Sequence, residues 1–314
     1  MTPSTLGVLL ALAGDPQSAA SDRPSLLTQA EAALAEGREE EAARVASTLA
    51  DRFPSSARAL LLLARAQVAR KDTRGAADSL QRALALAPNS EEALFASAQL
   101  SLGLRAPLAA VRALEPLTRM CAMVAQYHYL LGVALMQAGD MAAAVDALRE
   151  ARRLDPDRPL TLTALGLALN NRKAFEEART HLARALELEP DSLEATAALA
   201  ESEEGAGDLA RAEEHARRAL ARAGDHATAN LVLGMVRMKQ ERYEEARASL
   251  EQAVATDPGS PKARYLLSLA CARAGDEEAA QRHLAAYREK LKEVDERVEQ
   301  LRRETGYPGG GGPP

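Results

Sequence analysis

Residues 125–158 read AQYHYLLGVALMQAGDMAAAVDALREARRLDPDR, and residues 159–192 read PLTLTALGLALNNRKAFEEARTHLARALELEPDS. Each stretch is 34 residues long, and the two align without a gap, with a glycine, an alanine and a proline at matching places. A repeat of this length is typical of one supersecondary unit that buries its apolar face only against a neighbouring copy. The pair therefore predicts a solenoid of stacked units.

The same spacing extends along the chain in both directions. Prolines recur in steps of 34 residues, or multiples of it, at Pro54, Pro88, Pro156, Pro190 and Pro258. Ala122 and Gly224 occupy the two steps without a proline. Eight repeats fit with no insertion or deletion, beginning at Arg23, Ala57, Glu91, Ala125, Pro159, Leu193, Ala227 and Pro261.

Four columns of the repeat are restricted in side-chain size. The eighth position is always alanine, glycine or serine, and the twentieth is always alanine. A column of small side chains predicts that two helices approach closely there, with no room for a branched side chain. The seventh and twenty-fourth positions are mostly leucine, and these columns predict the core.

Each repeat contains two helical stretches separated by turn residues. Glycine followed by aspartate marks this turn in several repeats, as at Gly139-Asp140 and Gly207-Asp208, and aspartate is a good N-cap for the second helix. The proline near the thirty-second position ends the second helix, because its ring removes a backbone donor and disfavours helix in the preceding residue. The pattern predicts helix, turn, helix, turn.

In these columns the chain resembles the tetratricopeptide repeat family, whose repeat carries leucine, small and alanine residues and a proline at the same positions. The resemblance covers residues 23–294. It implies an all-α, right-handed superhelical solenoid of about eight 34-residue helix-turn-helix repeats. It also implies a protein-binding scaffold, although this scaffold serves many different partners.

Three segments lie outside the repeats. Residues 1–22 hold a short apolar run, Leu6 to Ala13, which we interpret as a helix capping the first repeat or as a signal-like segment. Residues 295–305 extend the last helix, which we expect from about Glu277 to Arg303. We expect residues 306–314, rich in glycine and proline, to be a disordered tail.

The last helix carries apolar residues with heptad spacing, at Leu284, Tyr287, Leu291, Val294, Val298 and Leu301. Such a row either covers the open end of the solenoid or pairs with a second copy as a coiled coil. Fewer than three heptads make a short coiled coil, so we expect capping. A homodimer through residues 284–301 is the alternative.

Repeat three departs from the pattern. It carries Pro116 inside its second helix and lacks the proline that ends the other helices. A proline inside a helix costs about 3 kcal/mol, so we predict a kink or an early stop. This would divide the solenoid into a short N-terminal arm and a longer C-terminal arm; a locally shortened helix without a hinge is the alternative.

The sequence gives no support for catalysis, a cofactor or a metal. Three of the five histidines, His181, His215 and His283, share the twenty-third position, which spaces them along a solenoid instead of clustering them as zinc requires. Cys121 and Cys271 fall in the third and eighth repeats, too far apart in a solenoid for a disulfide. Glycine-rich phosphate loops are missing.

The composition and the first residues of the chain bear on its ligands and its cellular location. The net charge is -6, and no basic block is interleaved with aromatic residues, so nucleic-acid binding is not indicated. The apolar run near the start is too short to span a membrane, and no lysine or arginine precedes Arg23 as a signal peptide needs. We expect a cytoplasmic and, from the arginine- and alanine-rich composition, bacterial protein, with export as the alternative.

A second stripe on each first helix, at positions two, five, nine and twelve, lies beside the core positions. In the family that the chain resembles, this groove stripe lines the concave face. Apolar residues there predict partner binding, because the core does not need them. Thirteen candidate partner-binding residues follow from the stripe and its neighbour Asn171: Arg58, Arg65, Phe95, Gln99, Tyr129, Val133, Met136, Leu167, Asn170, Asn171, Glu201, Met235 and Met238.

Two features qualify these candidates. A tight superhelix would bury part of the groove stripe between neighbouring first helices. Charge also varies along the chain, with a net +4 in repeat two and -4 in repeat six, which would orient a bound segment.

We therefore predict a non-enzymatic adaptor or scaffold that binds a peptide or helix of another protein in its groove. Two alternatives are left open: an exported factor that assembles pilus or secretion components, and a regulatory subunit of a separate enzyme. The amides of Asn170 and Asn171 are suited to bonding a partner's backbone, since each both donates and accepts.

Overall fold

A computed structural model describes the backbone of residues 16–305 and the side chains of residues 23–293, 295, 296, 299 and 303. Within that range the chain forms sixteen α-helices and no strands. In chain order they are α1 Pro16–Ala35, α2 Glu39–Arg52, α3 Ala57–Ala69, α4 Thr73–Leu86, α5 Glu91–Gly103, α6 Pro107–Met120, α7 Ala125–Ala138, α8 Met141–Leu154, α9 Pro159–Asn171, α10 Phe175–Leu188, α11 Leu193–Ala206, α12 Leu209–Arg222, α13 Ala227–Lys239, α14 Tyr243–Thr256, α15 Pro261–Arg273 and α16 Glu277–Thr305.

The helix boundaries follow the predicted repeat. The aspartate after the turn caps the second helix, as at Asp140, whose carboxylate accepts a hydrogen bond from the backbone N–H of Ala143 at 3.1 Å. A second column of caps begins the first helices: the last residue of a repeat is often serine, and the hydroxyl of Ser192 accepts from the N–H of Ala195. Both columns satisfy orphan donors at helix starts and so set where each helix begins.

The chain divides into two compact units, unit 1 ending at Met120 and unit 2 beginning at Cys121. In each unit the first helix of a repeat packs against its own second helix, which packs against the next first helix. Consecutive first helices also contact each other, whereas consecutive second helices do not come comparably close in the described residues. First helices therefore line the inner face of each unit.

The predicted core columns are confirmed at the eighth and twentieth positions, whereas at the seventh position Leu63 and Leu131 are half-buried and the leucines are buried only from repeat five onward. The twentieth-position alanines are buried in every repeat. The twenty-fourth-position leucines of repeats two to five and of repeat seven are buried as well. Where the eighth position is glycine, as at Gly132 and Gly234, an added Cβ atom would lie 2.5 Å from Cγ of Leu148 or Leu250. The column is small because the second helix occupies that space.

Repeat three corrects one prediction. Helix α6 contains Pro116 and still runs to Met120, the position at which the second helices of other repeats end. The predicted early stop, and with it the locally shortened helix, is therefore wrong: flanking contacts by Leu114 and Leu117, both fully buried, hold the turn that contains the proline. The boundary between units falls directly after this helix, where the terminal proline is missing.

The two ends of the chain are described in part. Helix α16 runs from Glu277 to Thr305, two residues past the expected Arg303, and the centroids of the Tyr287 ring and the Tyr265 ring on α15 lie 5.5 Å apart. This contact places the start of the heptad row against the last repeat. The side chains of Val294, Val298 and Leu301 lie outside the described residues, as do residues 1–15 and 306–314, so the dimer and both terminal predictions remain predictions.

Within residues 16–305, no helix is both long enough and apolar enough to span a membrane.

A left-handed residue ends the first helix of every repeat, always at the fifteenth position. Four repeats place glycine there, with φ between 69° and 90°. The other four place Lys71, Arg105, Lys173 and Glu241 there, with φ between 53° and 62°. A left-handed conformation costs a residue with a Cβ atom about 1–2 kcal/mol, so these four side chains stay at an energetic cost that glycine would avoid.

Replacing Lys173 by glycine should therefore raise the free energy of unfolding by about 1 kcal/mol, because glycine adopts this conformation without strain. The measurement is equilibrium denaturant unfolding. Arg172→Gly is the matched control, since Arg172 has φ of -80° and gains nothing from glycine. Equal effects of the two substitutions would contradict the strain.

Candidate functional site

The inner face of unit 2 begins with two first helices that carry no aspartate, glutamate, lysine or arginine, α7 and α9. The predicted anchors Tyr129, Val133, Met136 and Leu167 lie on these helices and are half-buried. Tyr129, Met136 and Leu167 pack with one side against the core cluster that includes Leu165. Each keeps part of its side chain exposed, which suits contact with apolar groups of a partner.

Arg158 covers one face of the Tyr129 ring. Its guanidinium carbon lies 4.8 Å from the ring centroid, a cation–π contact. Arg158 is the residue before α9, and the repeat numbering gave no reason to single it out. Leu160, two residues further, is 56% exposed and adds an apolar side chain at the start of the same helix.

The prediction that Asn170 contacts a partner is wrong. It is only 5% exposed, and its amide Nδ2 donates to the backbone carbonyl of Ala198 on α11 at 2.8 Å. Its Oδ1 accepts a hydrogen bond from the hydroxyl of Ser202 at 2.7 Å. Asn170 therefore joins two first helices and is buried away from a partner's backbone, whereas its neighbour Asn171 is exposed.

The prediction that Met235 contacts a partner is also wrong. It is 8% exposed and belongs to the core cluster of repeats six and seven with Val232 and Val236. The curvature of unit 2 brings α11 and α13 into contact and buries this part of the groove stripe between them. Met238, one turn further along α13, stays half-buried and packs against the next cluster.

The acidic residues of α11 are paired within the chain. Glu201, a predicted partner contact, lies 2.8 Å from Nζ of Lys262 on α15, two repeats ahead. Glu204 is paired with Lys239 at 2.6 Å. A ligand on the inner face of repeats six to eight would therefore have to displace these two ion pairs. Lys239 and Lys262 were not identified from the sequence as partners of these acids, because pairing across repeats depends on curvature.

Unit 1 carries the remaining four candidates. Arg58 lies 2.5 Å from Glu31 on α1 and 3.8 Å from Glu92 on α5, so it joins three first helices. Arg65 and Gln99 are exposed, and Phe95 is half-buried. Arg58 is therefore a structural contact as well as a surface residue, whereas Arg65 and Gln99 face a groove.

The histidines do not form a metal site. In the part of the chain that the structure describes, no three histidine, cysteine or acidic side chains come close enough to hold an ion. His181 is buried beside Arg152, whose Nη1 lies 3.4 Å from its Nε2. Burial, followed by the charge of Arg152, lowers the pKa of His181. This side chain is structural.

His215 has the opposite environment. Its Nδ1 lies 2.7 Å from Oε2 of Glu203, a carboxylate on α11 that is only 3% exposed. This hydrogen bond raises the pKa of His215 above its ordinary value, against the effect of burial. The ion pair ties the second helix of repeat six to its first helix and neutralises a buried charge.

The pair predicts a pH-dependent effect of His215→Gln. Since the folded pKa is raised, the stabilisation is fully present below the unfolded pKa and is lost as pH rises through the folded pKa. We expect the variant to lose about 1 kcal/mol at about pH 5.5 and less at about pH 9, measured by thermal melts against the wild type. A larger loss at the higher pH would contradict the pairing.

Comparison with protein families identifies the repeat. One tetratricopeptide repeat model matches residues 27–91 and 95–159, and a second matches residues 135–202 and 237–304. The matched ranges together extend over more than half of the chain. No curated protein matches the sequence.

Solved structures share the fold. A tetratricopeptide repeat protein from Parabacteroides merdae superposes with a TM-score of 0.59 at 15% identity, covering 80% of this chain and 99% of that one. The Cut9–Hcn1 hetero-tetramer of the APC/C gives a TM-score of 0.56 at 19% identity, covering 77% of this chain. This chain spans about half, 48%, of the length of that protein.

These identities support the fold alone. The matched repeat models show that this chain belongs to the tetratricopeptide repeat family.

Proposed function

We propose that the protein is a non-enzymatic adaptor that binds a peptide or helix of another protein on the inner face of unit 2. Tetratricopeptide repeats are general scaffolds for protein–protein interaction, which supports the class of function. The row formed by Tyr129, Val133, Met136 and Leu167 supports the location. These side chains are apolar, half-buried and carried by two uncharged helices.

The single observation that carries the proposal is the lack of charge on α7 and α9. Their second helices are highly charged: α8 alone carries two acidic and three basic residues between Asp146 and Arg153. Most of α9 is buried, but α7 is mostly not, and a water-exposed helix face without a functional role would be expected to be charged. Apolar side chains kept at half exposure favour contact with a partner's apolar side chains.

Some of the predicted contact residues do not contact the partner. Asn170 and Met235 are excluded, since both are buried between first helices. Glu201 contributes only if a basic group of the partner replaces Lys262. Tyr129 presents an edge and a ring face shared with Arg158, so a partner would approach beside this cation.

The test is affinity capture from a lysate of the source organism with the immobilised full chain. Proteins retained by the wild type should be lost from Tyr129→Ala with Met136→Ala, because the variant removes two central anchors from the row. Leu188→Ala is the matched control, since Leu188 is an exposed leucine on the second helix α10. Circular dichroism verifies that each variant is folded.

The same proteins retained by wild type, double variant and control would remove the assignment of this face. Loss from the control as well as from the double variant would assign binding to the outer surface instead.

A further inference from the structure

A separate groove lies on the inner face of unit 1. It has a volume of about 570 Å³ and is bounded by first helices and by Thr73 and Leu80 of α4, with Leu34, Val68, Leu100 and Leu104 among its apolar walls. None of its lining residues is acidic, and Arg65 is the only basic one. The volume falls in the range of about 300–1,000 Å³ found for ligand sites, which is enough for several apolar side chains.

Two of these walls are unusually exposed. Val68 is 46% exposed and Leu104 is 48% exposed, although neither is needed to pack a helix pair. Both lie at the ends of first helices, next to the turns that lead into α4 and α6. Exposed apolar side chains that line a concave surface mark a site of interaction.

One cation lines the groove, and three more follow its wall residues in the sequence. Arg65 lines it, Arg70 and Lys71 follow directly after its wall residue Ala69, and Arg105 follows directly after Leu104. All four are exposed, and none has an ion-pair partner among the described residues. Their charge is therefore available to a ligand.

The contrast with repeat six supports this conclusion. The formal charges of repeats two and six are equal and opposite, +4 and -4. Three acids of repeat six are paired with Lys262, His215 and Lys239. Formal charge thus overstates the negative surface of repeat six, whereas in repeat two Arg58 is paired with Glu31 and Glu92 and the cations beside the groove are not in ion pairs among the described residues.

Lys71 and Arg105 stand at the left-handed fifteenth position, where four repeats have glycine. A cation at a helix C-terminus gains from the helix dipole, which offers a structural reason for both residues. That reason is not general, since Glu241 occupies the same position at the end of α13. Two strained cations at successive repeats, beside one groove, are instead consistent with a binding role.

We propose that this groove binds a segment of another protein that carries carboxylates beside apolar side chains. The apolar side chains insert between Val68, Leu100 and Leu104, and the carboxylates lie against Arg65, Lys71 and Arg105. The proposal rests on the protein-interaction function proposed above and adds the chemistry of a partner for unit 1.

The first experiment measures binding of fluorescein-labelled amphipathic peptides to the full chain by fluorescence anisotropy. The peptides share a leucine face and carry glutamate, glutamine or lysine at all polar positions; a single-stranded oligonucleotide is the nucleic-acid probe. The glutamate peptide should bind roughly tenfold more tightly than the glutamine peptide, and its affinity should fall with added salt. The lysine peptide should not bind.

Equal affinities for the glutamate and lysine peptides would overturn the proposal. Tighter binding of the oligonucleotide, or no binding of the glutamate peptide up to about 1 mM, would also overturn it.

The second experiment uses Lys71→Gly with Arg105→Gly. Glycine relieves the left-handed strain, so this variant should melt at a higher temperature than the wild type and yet bind the glutamate peptide roughly tenfold more weakly. Lys173→Gly is the matched control, with the same relief in unit 2 and wild-type affinity. Wild-type affinity in the double variant would overturn the proposal without any question of misfolding.

A third comparison separates this proposal from the function proposed for unit 2. Tyr129→Ala with Met136→Ala should bind the glutamate peptide with wild-type affinity, since neither residue lines the groove. Loss of the peptide in that variant would assign it to unit 2 and overturn the groove. If this double variant binds the peptide with wild-type affinity and also captures the same lysate proteins as the wild type, only the unit 2 assignment is contradicted.

Discussion

The close approach of the two helices in each repeat is the constraint on which the rest of the structure depends. In repeats four, five and seven, the glycine at the eighth position of the first helix lies directly against the leucine at the twenty-fourth position of the second. This contact sets the rotation of the first helix about its own axis. The core stripe then faces the second helix, and the groove stripe necessarily faces the inner side of the unit.

Periodicity alone predicts the helix boundaries, the core columns and the inner position of the groove stripe, because each depends on contacts within one repeat. It does not predict what depends on the angle between repeats. Asn170 and Met235 lie in the correct stripe and are nevertheless buried, since curvature brings α9, α11 and α13 together. Pro116 shows a similar limit: buried leucines around it maintain a helix that local propensity alone would end.

The formal charge of a repeat does not predict how much of that charge stays unpaired on its surface. Repeats two and six have equal and opposite formal charges, yet three acids of repeat six are paired within the chain, whereas Arg58 is the one basic residue of repeat two with an ion pair among the described residues. The paired acids stabilise the inner face of unit 2, whereas one cation of unit 1 lines an apolar groove and three more follow its wall residues in the sequence. Two inner faces of one chain thus differ in chemistry: one is a neutral apolar row, and the other is an apolar groove with cations beside it.

The most direct measurement of the helix-pair constraint is the unfolding free energy of Gly166→Val. A Cβ atom at Gly166 would overlap Leu182, so added methyl groups must push the helices apart and should lower the stability by about 1–3 kcal/mol. Gly103→Ala is the control, since an added Cβ atom there meets nothing within 4 Å. A stability of Gly166→Val within about 0.5 kcal/mol of the wild type would contradict the constraint.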